Sequence, residues 1–596
     1  MTFKIVRVVG CLAVGEKVHR RSRYGTLTFP PLSLGVLSRR IRDSGFDCEQ
    51  DDLHKRWYCR ATMEADTERL RTLADDERRM WRYLEGKDDQ DWEWFGRTVA
   101  SLSDFEAPDV FLLSLISSDL PCCVSTLAFA RYLKNRFRKP IIAGGEYFAY
   151  APIYDEIERV LSNGVLDYYI LGFGEEPLQR LLSVVSGRSG VDDLARVQGL
   201  CWLDHGRVRR NPMTLTHAVV PPDFTGLPID LYRWSAECPP PDADLPPPVD
   251  ELTLPFHLTT GCPHNCAFCE CSGMKTVSVL PAARAVEELR KIIDLTGCRT
   301  FFFLDNTLNV SRRYVNALCD RLIDARLNIQ WMDCSSAHDM DQHTLERMRE
   351  AGAIRIVWGL ESGSDRILEY VGKPVRLAQI SNVLRMAHDV GLWNGVEVII
   401  GMPTETADDF AQTMRFVASH AEVLDEVWTY PFYLNSNSAM SSNYLRYGIE
   451  NVRRVNVGLS RDEPHRVVTT THTFDEKNGL CWRDNMEQQK RWAGIMLEHV
   501  ASLGLYPMSW EHEQQPNLLS WCYRNCATKA EVRRLYSRYW ERLSLARNPR
   551  PAAAREWEEG PYDATSLLVD GRYHEWLVYN EMKRKTPHRA SCCPLS

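Results

Sequence analysis

Four of the chain's 19 cysteines lie in one short segment, "TTGCPHNCAFCECSG", at residues 259–273. Three of them, Cys262, Cys266 and Cys269, follow a Cys-x3-Cys-x2-Cys spacing. Closely spaced thiolates favour iron–sulfur clusters or zinc over harder metal ions. Three thiolates leave one iron of a [4Fe–4S] cube open, whereas an electron-transfer ferredoxin has a fully ligated cluster. The spacing therefore predicts a [4Fe–4S] cluster whose open iron binds a substrate or cofactor.

A structural zinc site is the alternative interpretation of this loop. Zinc sites of the Cys3His type are tetrahedral, and His264 or His257 would supply the fourth ligand here. The next cysteine, Cys271, either joins the ligands or flanks the site as a free thiol. The strand and helix pattern that follows the loop favours the cluster, because a structural zinc loop does not need a barrel behind it.

That pattern extends over residues 251–440. Apolar runs predict strands at residues 300–306, 328–334, 354–362 and 395–403, with helical segments between them. Parallel strands joined by helices indicate a full or partial β/α barrel, in which catalytic groups lie at the carboxyl ends of the strands. We therefore predict a partial β/α barrel that carries the cysteine loop.

Residues 1–215 show a second alternation of strands and helices, typical of a doubly wound, Rossmann-like parallel sheet. A charged, Trp-rich segment at about residues 54–105 interrupts it and predicts a helical insertion. Such sheets bind ligands at the carboxyl edge of their strands, where glycines allow close approach of a ligand. The candidate residues at that edge are Ser114, Gly144, Gly145, Gly172 and Gly174.

Proline separates these two α/β regions. Residues 216–250 contain "VVPPDF" and "CPPPDADLPPPVD", which indicate a stiff linker. After residue 440 the alternation fades, and helical patterns near 485–503 and 528–546 predict a mainly helical C-terminal domain. We expect residues 441–596 to determine which substrate is bound.

Two residue sets in the C-terminal region have open roles. Its tryptophans could line an apolar pocket, although core packing explains most of them; they are Trp482, Trp492, Trp510, Trp521 and Trp540. Four cysteines could bind an auxiliary cluster, but pairs so far apart in sequence are weak support; they are Cys522, Cys526, Cys592 and Cys593.

Composition excludes several other classes of protein. A chain of 596 residues is too long to fold around a single hydrophobic core. A net charge of -8 and a pI of about 6.1 argue against a nucleic-acid or anionic-membrane binder. No apolar run reaches the length of a membrane span, and no targeting segment is visible. Cysteines in this context indicate reduced thiols and metal binding in a cytoplasmic protein.

The cysteine loop resembles the signature of the radical S-adenosylmethionine (SAM) enzymes, with Phe268 at the family's usual aromatic position. "FFFLDNTLN", "MREAGAIRIVWGLESGSDRIL" and "VEVIIGMPTET" resemble later strands of that family. The resemblance implies that SAM chelates the open iron and that one electron cleaves it to methionine and a 5′-deoxyadenosyl radical. The SAM-binding residues implied are Phe268, Asp305, Glu361, Ser362 and Gly401.

One departure from this family concerns the segment "SSAHDM", which follows the strand at 328–334. Relatives often have an arginine near the SAM carboxylate at this point. His338 either takes the place of that arginine or is an ordinary surface histidine.

Residues 1–215 resemble the cobalamin-binding domain that precedes the barrel in one branch of these enzymes, as in "FPPLSLGVLSRRIRDSGFDCEQDDL" and "LDYYILGFGEEPLQRLL". The cobalamin-binding residues implied are Ser114, Gly144, Gly145, Glu146, Gly172, Gly174 and Glu175. An Asp-x-His-x-x-Gly element would supply a histidine to cobalt. His54 follows the wrong strand and lacks the glycine, so we expect no histidine ligand from the protein. The alternative is a vestigial domain that binds no ligand.

The resemblance implies a cobalamin-dependent radical SAM methyltransferase. It would transfer a methyl group from methylcobalamin to an unactivated carbon of a natural-product precursor, as in antibiotic biosynthesis. Its partners would be a small-molecule or peptide substrate and an external one-electron reductant of the flavodoxin or ferredoxin type. Two alternatives stay open: a cobalamin-dependent cyclase or rearrangement enzyme that does not methylate, and a non-catalytic, zinc-stabilised cobalamin-binding protein.

Overall fold

The computed structural model describes most of the chain, namely residues 4–9, 29–59, 63–74, 76–103, 108–115, 120–145, 154–213, 218–235, 240–273, 276–435, 437–457, 467–477, 479–508 and 515–547. Four residues named above lie outside these ranges: Glu146, Trp510, Cys592 and Cys593. No helix in the described ranges is both long and apolar enough to cross a membrane.

The first region folds around a seven-stranded sheet with the order β2-β1-β3-β4-β5-β6-β7. Its strands are β1 (Lys4–Val9), β2 (Asp47–Asp52), β3 (Val110–Ser114), β4 (Ile141–Gly144), β5 (Tyr168–Ile170), β6 (Leu200–Asp204) and β7 (Arg207–Arg210). Strands β1 to β5 pair in parallel, and β6 and β7 add an antiparallel edge. This 2-1-3-4-5 order is that of a doubly wound sheet.

Helices cover both faces of this sheet and also form the predicted insertion. They are α1 (Leu32–Asp43), α2 (Leu53–Tyr58), α3 (Met63–Ala74), α4 (Glu77–Leu84), α5 (Gln90–Ala100), α6 (Leu120–Phe137), α7 (Tyr154–Ser162) and α8 (Glu175–Val185). Helices α2 to α5 lie between β2 and β3. Their core includes Trp92, which stacks on Tyr83 at 6.2 Å between ring centroids and meets Phe95 edge-on. The tryptophans of this segment therefore stabilise the insertion by packing.

The second region is built on seven parallel strands in the order β8-β11-β12-β13-β14-β15-β19, of which β19 (Tyr506–Met508) comes from the third region. The strands from this region are β8 (Thr253–Phe256), β11 (Thr300–Phe303), β12 (Gln330–Ser335), β13 (Ala353–Glu361), β14 (Trp393–Ile400) and β15 (Glu426–Pro431). Strand β9 (Thr259–Thr260) pairs antiparallel with β10 (Ser278–Val279), and the cysteine loop lies between them in the chain. Helices α9 (Ala282–Thr296), α10 (Arg312–Ala325), α11 (Gln342–Glu350), α12 (Asp365–Tyr370), α13 (Leu377–Asp389) and α14 (Ala407–Ser419) connect the strands. The predicted partial β/α barrel is confirmed.

The third region contains more strand than its sequence pattern suggests. Its helices are α15 (Ala439–Ser442), α16 (Trp482–Ser502), α17 (Gln515–Asn525) and α18 (Lys529–Arg547), and its strands are β16 (Leu434–Asn435), β17 (Ile449–Val457), β18 (Val467–Glu476) and β19 (Tyr506–Met508). Strands β16, β18 and β17 form an antiparallel sheet. Strand β19 joins the barrel sheet beside β15, so the barrel takes its last strand from far along the chain.

Helix α17 closes the amino-terminal end of the barrel. Asn517 accepts a hydrogen bond from the hydroxyl of Thr253 at 2.7 Å, and the Ser520 hydroxyl lies 2.8 Å from that of Thr300 and donates to Gln330 at 2.6 Å. Those three partners are the first residues of β8, β11 and β12. The helix therefore lies at the end of the barrel opposite to the predicted site.

Most of the C-terminal tryptophans with described positions pack in cores. Trp492 stacks on Phe410 with a centroid distance of 4.7 Å, and Trp482 packs against Phe474 at 5.3 Å. Trp521 is buried with the Cys522 thiol beside the barrel's closed end, and Trp540 is half-buried in the same cluster. Core packing is thus the main role of these side chains.

Candidate functional site

The cysteine loop follows β9, and hydrogen bonds from its backbone to Val371, Met440 and the side chain of Asn306 hold it in place. The amide of Ala267 donates to Val371 O at 2.8 Å, and the Ala267 carbonyl accepts from Met440 N at 2.8 Å. At the entrance to the loop, Gly261 has φ +78° and donates its N–H to Asn306 at 2.9 Å. A Cβ at Gly261 would lie 2.4 Å from Thr276 O, so only glycine fits this turn. The loop is therefore fixed before any metal binds.

The three predicted ligands are neighbours that influence one another's ionisation. Burial raises the pKa of Cys266 to about 12, and the Cys262 and Cys269 thiols contribute to this shift. A hydrogen bond from Cys271 lowers the pKa of Cys269. A buried cation, Lys373, favours the thiolate forms of Cys262 and Cys266. Three adjacent soft donors with a nearby positive charge fit an anionic iron–sulfur cluster.

The two histidines considered for a zinc site have different surroundings. The Nε2 atom of His257 lies 2.7 Å from Val220 O, a contact with the linker, so this nitrogen is engaged away from the loop. The Nε2 atom of His264 is buried and has no hydrogen-bond partner among the residues that the structure describes, and its ring meets the ring of His338 edge-on at 5.0 Å. Within the described ranges, no three His, Cys, Asp or Glu side chains are arranged around a single-ion site.

Two buried carboxyl groups support the base of the loop. Asp305 Oδ1 accepts from Leu258 N at 2.8 Å and from Thr259 N at 2.9 Å. Burial raises the pKa of Asp305 to about 7 and that of its partner Asp333 well above the ordinary value. Two adjacent buried carboxyls cannot both ionise readily, so this pair shares one proton. The structure shows Asp305 as a positioning residue; its predicted contact with SAM stays a prediction.

We expect Asp305→Ala to lower the free energy of unfolding by about 2–4 kcal/mol, because two buried N–H groups lose their acceptor. Asp305→Asn keeps that acceptor and replaces the shared proton with an amide donor. Since the folded pKa of Asp305 lies near 7 and its unfolded pKa near 3.9, the wild type loses stability as pH rises from about 4 to 7. Urea titrations at pH 5 and pH 8 should show a smaller loss for Asp305→Asn. Equal pH slopes in the two proteins would contradict the shared proton.

A buried ion pair lies between the barrel and the cysteine loop. Glu361, the last residue of β13, has φ +63° and accepts from Lys373 Nζ at 2.5 Å. Burial opposes the charge of Lys373, but Glu361 and the Cys266 thiolate outweigh it and raise the pKa of the lysine. The pair places a carboxylate near the cysteines, which fits the predicted role of Glu361 in holding SAM.

The other predicted SAM residues lie around this point. Phe268 is half-buried beside the cysteines and packs on the surrounding core. Ser362 is fully buried, and its hydroxyl lies 3.3 Å from that of Thr413. Gly401 has φ +78° and follows β14, where its carbonyl accepts from Gln489 at 3.2 Å. Their contacts with SAM stay predictions.

Gly401→Ala should strongly destabilise the barrel. A Cβ there would lie 2.1 Å from Gln489 Cγ, in addition to the left-handed backbone. We expect a loss of about 3 kcal/mol, measured by urea denaturation. Gly226 is a matched control, because its φ is +79° and no atom lies within 4 Å of a Cβ at that position. Gly226→Ala should cost only about 1 kcal/mol; equal losses would mean that contact with Gln489 contributes nothing.

The candidate cobalamin residues lie together along the carboxyl edge of the first sheet. Ser114 and Gly144 end the paired strands β3 and β4, and Gly172 and Gly174 follow β5. Gly145 has φ +131°, and a Cβ there would lie 2.1 Å from Leu115 O. Glu175 is in the first turn of α8. Glycines and one small hydroxyl at these positions allow close approach of a ligand, which fits a large planar group.

His54, which the sequence had set aside as a cobalt ligand, is buried on α2. That helix follows β2, the outermost parallel strand of the sheet, rather than a strand beside the glycine-rich edge. Residues 10–28, 116–119 and 146–153, which follow β1, β3 and β4 in the chain, lie outside the described ranges.

Two residues of this site had no signal in the sequence. Lys373 is a single lysine between glycine and proline in "VGKPV". Asp333 was within a predicted strand, but only the fold brings it to Asp305.

A protein-family model described as "Radical SAM superfamily" matches residues 256–417. These residues contain the cysteine loop and the strands β11 to β14, so they are a radical SAM domain and the predicted resemblance is confirmed.

Comparison with individual proteins extends the likeness beyond this domain. The solved structure of the radical SAM methyltransferase TsrM from Kitasatospora setae, with cobalamin and a [4Fe–4S] cluster bound, matches 92% of this chain and 100% of its own with a TM-score of 0.58. At 15% identity this likeness concerns the fold, and it supports the doubly wound domain, barrel and C-terminal region as one layout.

Two curated relatives align over shorter stretches. An uncharacterized methyltransferase of Pyrococcus horikoshii is 27% identical over 284 residues, 46% of this chain and 57% of the relative. The anaerobic magnesium-protoporphyrin IX monomethyl ester cyclase of Cereibacter sphaeroides is 21% identical over 319 residues, 52% of this chain and 49% of the relative. The chain thus spans about half the length of these relatives.

Proposed function

We propose that the protein is a cobalamin-dependent radical SAM methyltransferase that methylates an unactivated carbon of a natural-product precursor. The observation that carries this proposal is one shared hydrophobic core. It contains Leu115, directly after β3 at the glycine-rich edge, and Ala267, between the cluster cysteines. Phe29, just before α1, also meets Phe302 of the barrel at 5.6 Å between ring centroids. The two regions that carry the candidate cofactor sites therefore pack on one shared core.

Polar and apolar contacts hold the two regions in this arrangement. Arg39 of α1 pairs with Glu288 of α9 at 2.8 Å. Arg42 pairs with Asp223 of the linker at 2.8 Å, and Tyr232 of the linker donates to the buried Asp52 carboxylate. Ion pairs and a hydrogen bond between partly or fully buried partners give the interface a defined orientation. A fixed orientation supports transfer of a small group between two bound cofactors.

Each cofactor has a set of residues that fits its chemistry. Cys262, Cys266 and Cys269 would hold the cluster, Glu361 and the Gly401 turn would hold SAM, and the glycine-rich edge would hold cobalamin. When bound, these groups supply the electron, the radical precursor and the methyl group. The chain positions them and keeps the reacting atoms away from water. TsrM, whose fold is similar, binds cobalamin and a cluster.

A second candidate function is radical cyclisation or rearrangement without methylation. The likeness to the cyclase of Cereibacter sphaeroides favours it. The relative from Pyrococcus horikoshii is described as a methyltransferase, and this supports the first candidate. We further propose a cytoplasmic location, a small-molecule substrate and an external flavodoxin-type or ferredoxin-type reductant.

The test is anaerobic incubation of cluster-reconstituted, full-length protein with cobalamin, SAM, a low-potential reductant and extracts of candidate precursors. Mass spectrometry would then read the products. Substrate-dependent 5′-deoxyadenosine together with S-adenosylhomocysteine supports radical methylation. 5′-Deoxyadenosine alone supports the cyclase function. Protein that binds zinc, holds no iron and forms neither product would contradict both.

A further inference from the structure

A chain of hydrogen bonds links the third region to the turn that follows β14, called the β14 turn below. Gln489 of α16 donates from Nε2 to Gly401 O at 3.2 Å and to Asn485 Oδ1 at 2.5 Å. The Asn485 amide in turn donates to Glu476 Oε1 at 3.0 Å. Glu476, the last residue of β18, accepts from Thr404 N at 2.9 Å through Oε2. The third region therefore contacts both ends of the β14 turn, Gly401 and Thr404.

Hydrogen-bond chemistry fixes the orientation of the groups in this chain. Asn485 and Gln489 are almost fully buried, so an amide turned the wrong way would place donor against donor without water to replace the lost partner. Both oxygens of Glu476 face N–H donors. A carboxylate offers an acceptor at each of these places, whereas a glutamine would turn its own N–H groups towards one of the donors. Glutamate at position 476 is thus matched to the chain and to the turn.

The backbone of Thr404 shows why the β14 turn needs this support. Thr404 has φ +69°, a left-handed conformation that a β-branched residue rarely adopts. Strained residues of this kind persist only where neighbouring contacts hold them, and they cluster at binding and catalytic sites. The Thr404 N–H donates to Glu476, and the Thr404 carbonyl accepts from Arg366 Nη2 at 2.6 Å. The third region and the barrel therefore each hold one backbone polar group of the strained residue.

We infer that Glu476 and Gln489 are positioning residues for SAM, because they hold the β14 turn in the conformation that binds it. The inference rests on the proposed function, in which this turn holds SAM. Neither side chain needs to touch the ligand, since each acts through a backbone group of the turn. Without the Glu476 acceptor, Thr404 would relax towards an unstrained backbone, and the turn would lose its binding form. SAM affinity would then depend on the third region, the part of the chain expected to determine the substrate.

The first arm of the test compares SAM affinity in variants of the reconstituted, full-length protein. Glu476→Gln changes one acceptor into a donor with little change of shape, and Gln489→Met keeps the volume but removes the amide. We expect each to weaken SAM binding at least about tenfold, measured by equilibrium dialysis with labelled SAM. Thr253→Val is the matched control, since it removes a buried hydrogen bond of 2.7 Å at the closed end of the barrel. It should lower stability in urea and leave SAM affinity unchanged.

The second arm is a rescue that only the hydrogen-bond chain explains. The double variant Glu476→Gln with Asn485→Asp moves the carboxylate to position 485 and the amide to position 476. Every donor in the chain then faces an acceptor again, including the N–H of Thr404 and the amide of Gln489. We expect this double variant to regain a SAM affinity within about threefold of the wild type.

Iron content and urea denaturation are measured on the same samples, so that weaker SAM binding is not confused with loss of the cluster or of the fold. A SAM affinity in Glu476→Gln within about threefold of the wild type would overturn the inference. So would an equal loss in Thr253→Val, or a double variant as weak as Glu476→Gln. In each of these cases the wild type still binds SAM, and the proposed function stands. Wild-type protein that holds its cluster but binds no SAM would contradict both.

Discussion

Cys269→Ala is expected to reduce the iron content of reconstituted protein from about four atoms per chain to under about one. The pKa of this thiol is lowered by the hydrogen bond from Cys271, so Cys269 is the loop cysteine best prepared to bind metal as a thiolate. With two thiolates left, the cube has two unsupported irons. Iron assays and absorbance near 400 nm would measure the loss, and 5′-deoxyadenosine formation should stop.

The matched control is Cys271→Ala, two residues further along the same loop. Cys271 is buried, and its hydrogen bond to Cys269 raises the pKa of the Cys271 thiol far above its usual value. A thiol that holds its proton so firmly is a poor ligand. We expect Cys271→Ala to keep its iron and to cost only the packing of one small side chain. Equal iron loss in the two variants would instead make Cys271 a cluster ligand.

Much of the architecture was predictable because its signals are local. Continuous apolar runs such as "VFLL" in β3 are buried on both faces, as expected for a central parallel strand. Helix α1 begins after Pro31 and ends before Gly45, which has φ +74°. Residues that mark the start and the end of a helix can be recognised in a single sequence. Strand β15 was missed, since it begins at a charged residue, Glu426, whose burial is tolerated because two indoles and an arginine lie close to it.

The parts that could not be predicted depend on contacts between distant segments. Strand β19 has three residues and exists through pairing with β15, about 80 positions earlier in the chain. Asp305 and Asp333 become a proton-sharing pair only when β11 and β12 align. Lys373 reaches Glu361 because α12 turns the chain back over the end of β13. In each case the contact exists only in the folded protein, and no local sequence pattern predicts it.

The C-terminal region divides into parts with different relations to the site. Helix α17 closes the amino-terminal end of the barrel, away from the cysteines. By contrast, Met440 of α15 donates to the cysteine loop, and Gln489 of α16 donates to Gly401. The expectation that residues 441–596 determine the substrate is therefore best tested on β17, β18 and α16. Substitutions in α17 should change stability rather than substrate preference.

Lys373→Met should cause a large loss of stability although it removes no metal ligand. Its ammonium is almost fully buried and pairs with Glu361, which is equally buried. Removing one partner of a buried pair leaves an uncompensated charge and typically costs about 3–5 kcal/mol. Urea denaturation of the full-length protein at pH 8 would measure the loss, and a change below about 1 kcal/mol would contradict the pairing.

The double variant Glu361→Gln with Lys373→Met separates charge from packing. It removes both charges, so no uncompensated carboxylate remains, and we expect it to be more stable than Lys373→Met alone. If Glu361 holds SAM as predicted, the double variant should bind SAM more weakly than Lys373→Met alone, because it has lost the carboxylate of Glu361. Stability recovered while SAM affinity stays low would show that Glu361 acts on SAM directly. Recovery of both would make the ion pair a structural element of the barrel, and the SAM contact would then lie elsewhere at this strand edge.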